Sequence, residues 1–431
     1  MGPRTIDLNV DVHHLTRVEG HGNIQVCVKG GKLESARWQV VETPRYFEAI
    51  FRGKHYSSAP ILAARVCGIC SIAHTLASLE ATERAFGVTI SPRAAKLRLL
   101  AKHGETLQSH WLHLFFLAAP DFLNVPDAIA LIPDKPEVVA LAARLKGVAN
   151  RLCDLIAGRT THPVTLQVGG VSAAPRLDAL RAIRDELEAS VADVKVATEV
   201  FSSLKMPEFQ RETEFVSLGA GSEGGQYPFI GQRVISTDGV RESADEYLAL
   251  TNEYIVEGST SKYCKLSRDE FAVGPLARLN NNFSLLHEQA RAVADRIGLR
   301  PVCSNPFYGH FARVVECVHA TFEAMELIDA LIADGSSEPA MVAFESKAGV
   351  GVGAVEAPRG ILYHRYEYDD GGRIVSADCV IPTTQNHGNI QADLEAMVPQ
   401  LASTINDDAA LERLCSMLVR AYDPCISCSV H

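Results

Sequence analysis

Two Cys-x-x-Cys pairs, Cys67/Cys70 and Cys425/Cys428, stand far apart in a chain of 431 residues, the second pair in its last segment. Thiolates are strong, soft donors that suit nickel, iron or zinc, and one sulfur can bridge two metals. Three chemistries use such pairs: a four-cysteine zinc site, a dithiol redox centre, and a site for another thiophilic metal. A structural zinc site joins knuckles tens of residues apart that organise a small domain, a poor fit to pairs this distant. A thioredoxin-like pair needs a βαβ context, which the C-terminal pair lacks. A metal that fastens the tail to a distant loop accounts for thiols in a segment that otherwise frays. The other seven of the eleven cysteines (Cys27, Cys153, Cys264, Cys303, Cys317, Cys379 and Cys415) stand alone and read as reduced, buried, small hydrophobes.

The elements that must position these thiols are mostly helical. Apolar residues recur at steps of three and four over 93–118, 139–155, 176–203, 242–256, 283–297, 312–333 and 391–421. Strand-like runs lie near 22–28, 36–42, 213–218, 233–236, 361–367 and 374–381. The expected class is mainly α with smaller β regions (α+β). The chain reads as one unit with several lobes: a β-containing region 1–90 with the first cysteine pair, a helical core 91–210, a mixed insertion 211–281, and a helical region 282–431 with the second pair. The Gly-rich interval Gly219–Pro228 is the expected boundary between lobes. Its Gly219-x-Gly221-x-x-Gly224 spacing imitates a dinucleotide fingerprint, but Pro228 and a strand-like run follow where a helix must open. Gly349-x-Gly351-x-Gly353 has the same weakness. No nicotinamide site is expected in this chain.

A hydrophobic content of 47% with 22% charged residues is that of a packed globular protein. The net charge of −11 and the pI near 5.8 argue against nucleic acid or an anionic membrane as partner. The longest apolar run, 112–119, is too short to cross a bilayer, and the opening residues carry no apolar signal core. A cytoplasmic location is expected.

The flanks of the cysteines sharpen the reading. Arg65-Val-Cys67-Gly-Ile-Cys70-Ser-Ile-Ala-His74 and Asp423-Pro-Cys425-Ile-Ser-Cys428-Ser-Val-His431 are joined by further motifs in a fixed order. These are Leu15-Thr-Arg17-Val-Glu19-Gly-His21, Gly158-Arg159-Thr-Thr-His162-Pro with Gly169-Gly170, Gly274-Pro-Leu-Ala-Arg278-Leu-Asn280, Glu356-Ala-Pro-Arg359-Gly and Pro382-Thr-Thr384. The set spans almost the whole chain and resembles the large, catalytic subunit of a nickel–iron hydrogenase, whose fold has a central helical bundle.

That resemblance implies a reaction, the reversible heterolysis of H2, and a cofactor, nickel with an iron carrying CO and two CN ligands. Cys67 and Cys425 would be terminal nickel ligands, and Cys70 and Cys428 would bridge nickel to iron. Cys425 would receive the proton, which Glu19 would carry outward; by spacing alone Glu19 reads as a surface partner of Arg17. Arg359 would lie over the metals and donate to one cyanide, and Thr383 to the other. Asp423 would pair with Arg359 or end a helix before Pro424. Glu48, His431 and the carbonyl of Cys379 would hold a magnesium ion, although histidine is an unusual ligand for that metal. His74, His110 and His113 read as packing histidines outside the ligand shell.

Departures narrow the branch. Membrane-linked uptake members of the family have an acid where Ser109-His-Trp-Leu-His-Leu-Phe115 begins, and a tryptophan where Gln385 stands. The chain is also short, so it is more similar to the multi-subunit cytoplasmic branch. Its partners would be an iron–sulfur small subunit, because no further cysteine cluster here could hold a relay, and nicotinamide-, deazaflavin- or heterodisulfide-linked modules. Trimming after His431 would be the maturation step. A hydrogen sensor keeps every ligand and remains an alternative; a scaffold relative in a respiratory complex would have lost the cysteines.

Overall fold

The computed structural model describes residues 7–221, 225–335, 339–401, 405 and 407–431. The chain opens with an antiparallel sheet, β1 (Leu8–Val12), β2 (Gly22–Lys29) and β3 (Lys32–Val40), in sequence order. Alternate residues Ile24, Val26 and Val28 of β2 are buried, as expected of a strand with one face to a core. Four long helices follow: α1 (Ser71–Phe86), α2 (Pro92–Leu112), α3 (Pro136–Ala157) and α4 (Leu177–Ser202). Then come β4 (Glu214–Leu218), β5 (Arg233–Ser236), β6 (Arg241–Ser243), α5 (Pro275–Asn282) and α6 (Gly309–Asp334). The last part holds β7 (Gly349–Ala357), β8 (Gly360–Tyr368), β9 (Ile374–Val380), α7 (Pro382–Leu401), α8 (Asp408–Tyr422) and the short turn α9 (Ile426–Ser429).

The bundle is α2, α3, α4 and α6, packed on one another. In α4, Leu180, Ile183, Leu187, Val194, Ala197 and Phe201 are buried at helical spacing, giving an apolar stripe along one face. Helix α2 starts with Ser91, whose hydroxyl accepts the Ala94 N–H at 3.1 Å, and with Pro92 in the first turn. It has no polar face, because it is enclosed: Lys102, His103, Glu105 and His110 are all buried. After Leu112 it widens into a π-helical stretch, His113–Ala118, a form that recurs at functional sites.

The tail reaches the centre by a second route. Helix α7 lies on β3, where Trp38 N–H donates to Gln391 at 2.7 Å and the Trp38 indole donates to His387 at 2.9 Å. Helix α8 then packs beside α7 and β1 and delivers Asp423.

The expectation of 242–256 as one helix is corrected. Ser243 accepts the Asp245 N–H and starts a tight turn, the helix spans only Tyr247–Thr251, and Asn252 ends it in the left-handed region. Likewise 391–421 is two helices, and Asp407 caps the second by accepting the Ala410 N–H at 2.8 Å. Gly219–Pro228 is not a boundary between lobes. Its flanks β4 and β5 pair as one antiparallel hairpin, with Gly219 N–H donating to Arg233 at 2.9 Å. Ser222, Glu223 and Gly224 lie outside the described residues.

The Gly349-x-Gly351-x-Gly353 run is strand β7, pressed onto α1. A Cβ at these positions would sit 2.2, 2.1 and 2.1 Å from the carbonyl oxygens of Ala85, Ala81 and Ala77. This approach fixes α1, whose N-terminal end is Cys70. Gly351→Ala therefore forces the strand off the helix and lowers stability by roughly 1–3 kcal/mol, the usual penalty for overpacking; urea unfolding measures it.

Also on α1, Glu80 accepts from Gln232 at 3.1 Å, and burial raises its pKa to about 7. A raised carboxyl makes the folded state hold a proton that the unfolded chain releases above its ordinary value. Stability from this group is therefore present below pH 4.5 and lost as pH rises to about 7. Glu80→Gln removes that slope and gains roughly 1–2 kcal/mol at pH 8, read from unfolding midpoints across pH.

Candidate metal centre

Each cysteine pair arrives at the end of an element. Cys70 is the cap residue of α1, and Glu105 of α2 accepts the Ala73 N–H in the same turn at 3.0 Å. The second pair follows Asp423, which ends α8 in the left-handed region at φ 54° and turns Pro424 and Cys425 back into the core. Arg45 fastens the two loops together. One of its nitrogens donates to the Val66 carbonyl at 2.7 Å and to the Ser427 carbonyl.

The four sulfurs converge. Cys67 and Cys425 are 3.5 Å apart, Cys70 and Cys428 are 3.8 Å apart, and all four lie within 4.8 Å of one another. All four residues are buried. The sulfurs of Cys425 and Cys428 are neighbours within their own loop, and it is as thiolates that the four can ligate a metal. Such a set of buried thiolates is a stack of like charges unless cations sit among them. Four soft thiolate donors suit a thiophilic metal such as nickel or iron and not a hard cation.

Polar groups close over the cluster. Glu19 runs beside the tail in a parallel bridge with Cys425, and its carbonyl accepts the Ile426 N–H at 2.8 Å. Its carboxylate lies 3.2 Å from the Cys425 sulfur, accepts the Ser427 N–H at 3.0 Å and contacts the Ser427 hydroxyl. Arg17 does not pair with it. Arg17 instead reaches Asp121 at 2.5 Å, which Arg420 also holds at 2.7 Å.

Arg359 donates from Nε to the Asp423 carbonyl at 2.8 Å and from Nη2 to the Asp423 carboxylate at 3.1 Å. Its Nη1 is buried with no hydrogen-bond partner, a donor left for something in the cluster. Burial opposes the charge of Arg359, but Asp423 and the thiols of Cys70 and Cys67 outweigh it and keep the guanidinium protonated. Burial likewise opposes ionisation of Asp423, and Arg359 holds it well below the carboxylate range. The Thr383 hydroxyl accepts the Cys425 N–H at 3.0 Å, which leaves its own proton free to donate. The neighbouring Thr384 hydroxyl is buried without a partner.

The histidines are packing and network groups. His113 meets Asp423 at 3.0 Å and His310 at 3.3 Å, His110 meets Glu316 at 2.8 Å, and His74 meets His364 at 3.0 Å. Burial pulls His110 and His113 down to about 4. Glu48 and His431 come together at 3.4 Å. What Cys379 turns toward the Glu48 carboxylate is its N–H, at 3.2 Å. Burial opposes ionisation of Glu48, yet His431 holds its pKa down, to about 2.

Sequence reasoning passed over Arg45, Ser427, His310, Glu316 and the role of Arg278. The first two carry backbone and hydroxyl contacts that no spacing announces. Arg278 lay inside a quoted motif, so its signal was present.

A helical large subunit whose two distant segments bring four thiols to one buried point, under a carboxylate and an unsatisfied guanidinium, defines a class of thiolate-ligated metalloprotein. Residues 45–146 and 242–431 match the nickel-dependent hydrogenase family, and residues 9–43 match a HoxL-like family. The chain is 30% identical to the sulfhydrogenase 1 subunit alpha of Pyrococcus furiosus over 99% of both chains. It is 28% identical to the beta subunit of the NAD-reducing hydrogenase HoxS of Cupriavidus necator, over 97% of this chain and 93% of that one. The crystal structure of an NAD+-reducing [NiFe]-hydrogenase in its H2-reduced state superposes with a TM-score of 0.89 at 28% identity, covering 98% of this chain and 99% of the other. The chain belongs to the nickel-dependent hydrogenase family, as a large subunit. Among the described residues no helix is long and apolar enough to cross a membrane.

Proposed function

We propose that this chain is the catalytic subunit in which H2 is split heterolytically and reversibly at a nickel and an Fe(CO)(CN)2 centre held by Cys67, Cys70, Cys425 and Cys428. The observation that carries the reading is the meeting of four buried sulfurs with Glu19 at 3.2 Å from that of Cys425. When bound, the metals supply a redox centre that takes the electron pair of H2. The thiolates of Cys67, Cys70, Cys425 and Cys428 would hold the two metals, Cys67 and Cys425 on the nickel and Cys70 and Cys428 shared with the iron. The Cys425 sulfur takes the proton and Glu19 passes it toward the surface, where it is half-buried. Arg359, through its free Nη1, and the Thr383 hydroxyl would donate to the two cyanides, and Asp423 keeps the guanidinium aligned. The enclosed site excludes bulk water, which strengthens each of these contacts. Glu48 and His431, with the backbone carbonyl of Cys379, would hold a magnesium ion beneath the tail.

Electrons leave through an iron–sulfur small subunit, and further nicotinamide-, deazaflavin- or heterodisulfide-linked subunits complete a cytoplasmic complex. The relatives, named as alpha, beta or A subunits of hydrogenases, support that assembly. The test is elemental analysis and infrared spectroscopy on protein purified anaerobically with its natural partners. About one nickel per chain with carbonyl and cyanide bands is expected for a thiolate-held pair of metals. Zinc alone, without those bands, overturns the reading. Hydrogen-driven dye reduction on the same sample separates an enzyme from a hydrogen sensor.

A further inference from the structure

We infer that Arg278 is a positioning residue for the reaction: it sets the place of Arg359 over the thiol cluster by gripping the backbone just before it. This rests on the role proposed above for Arg359. Arg278 is fully buried on α5 and makes a complete set of contacts. Its Nε and Nη2 donate to the two oxygens of Glu316 at 2.6 and 2.6 Å. Its Nη1 donates to Glu356 at 2.9 Å and to the Ala357 carbonyl at 3.0 Å, and Nη2 donates to the Pro358 carbonyl at 3.2 Å. A guanidinium has five N–H donors, and here all five are used.

Two of the five go to the carbonyls one and two residues before Arg359. That stretch is the turn of the β7–β8 hairpin, where Ala357 pairs with Gly360, so Pro358 and Arg359 form the loop itself. Gly274, one helical turn before Arg278, also lies against the loop: at φ +111° a Cβ there would lie 2.9 Å from the Arg359 carbonyl. The first turn of α5 thus meets the Arg359 loop at both Gly274 and Arg278. An arginine needed only to neutralise Glu316 has no reason to satisfy two carbonyls of this turn. Glu316 is itself fixed by the Tyr227 hydroxyl at 2.8 Å and by His110 at 2.8 Å, so the grip is anchored to α2 and α6. Lysine cannot reproduce it, because an ammonium on a flexible stem lacks the planar fork. Freed of the grip, the turn shifts and Arg359 Nη1 leaves the place where it meets the cluster.

The test is a cycle of Arg278→Lys, Arg359→Lys and the double variant in the complete, anaerobically purified complex. It reads kcat, KM for H2, nickel content and the infrared cyanide bands. A displacement near 1 Å of a group at the reacting centre costs about a hundredfold in rate. Arg278→Lys is expected to lower kcat by roughly tenfold to a hundredfold, with KM and nickel content unchanged and a cyanide band shifted in the same direction as in Arg359→Lys. The double variant is expected to be no worse than Arg359→Lys alone. Multiplying effects, or unshifted bands in Arg278→Lys, overturn the positioning role while leaving that of Arg359 standing. If Arg359→Lys alone changes neither rate nor bands, the role of Arg359 fails, and this inference with it. Should Arg278→Lys not fold, Gly274→Ala pushes the same turn through the Arg359 carbonyl; the same band shift is expected, and its absence overturns the inference.

Discussion

Cys428→Ser is expected to leave a folded protein with nickel below a tenth of the wild-type content and no measurable hydrogen turnover. The sulfur of Cys428 lies 3.8 Å from that of Cys70 on the side of the cluster assigned to the bridging ligands. A serine hydroxyl is neither soft nor ionised near neutral pH, so it donates poorly to nickel and cannot bridge two metals as a thiolate does. The loss falls on both metals at once. The fold is spared because serine fills nearly the same volume as the buried Cys428 and leaves the packing of the bundle and the sheets in place. Elemental analysis with circular dichroism on anaerobically purified complex checks this. Cys317→Ala is the control: this thiol is buried in α6 and stands apart from the cluster. It is expected to retain full metal content and to lose roughly 1 kcal/mol of stability from the small cavity left behind.

How much of this was legible in the sequence depends on how each residue works. The thiols and their flanks were readable because ligation demands particular atoms at particular spacings. The amphipathic helices α3 and α4 were readable because each has one wet face. Helix α1, which carries Cys70, was missed for the opposite reason: from Ser71 to Phe86 nearly every residue is buried, and no polar face marks the period. Strand β7 was missed because glycines that look like a loop or a phosphate cradle are there to let a helix backbone approach. The pairing of Arg359 with Asp423 was open on sequence alone, and the structure provides both the contact and its cause, the left-handed turn at Asp423. Arg17 beside Glu19 looked like an ion pair by proximity. In the fold Arg17 turns to Asp121 instead, and that frees Glu19 for the cysteine sulfur.

That freedom underlies the prediction that most directly tests the proton path. Glu19→Gln is expected to keep nickel, iron and fold, yet to lower hydrogen oxidation by a factor of about 10² to 10⁴, the range lost when a positioned proton carrier is removed. Glutamine preserves the volume and can still accept the Ser427 N–H that now binds Glu19 at 3.0 Å. It cannot take up and release a proton: the oxygen that accepts the Ser427 N–H is the one that faces the Cys425 sulfur, and the NH2 group falls beside the Ser427 hydroxyl. Glu19→Asp keeps the chemistry but withdraws the carboxyl by one methylene from a contact that is now 3.2 Å, so partial activity is expected, between glutamine and wild type. Dye-linked hydrogen oxidation and hydrogen–deuterium exchange on the same samples separate the steps. Exchange that falls with oxidation places Glu19 at the first proton transfer from the cluster. A glutamine variant that retains more than a tenth of wild-type turnover means that the proton leaves by another group, and the contact between Glu19 and Cys425 is then only part of how the tail is held.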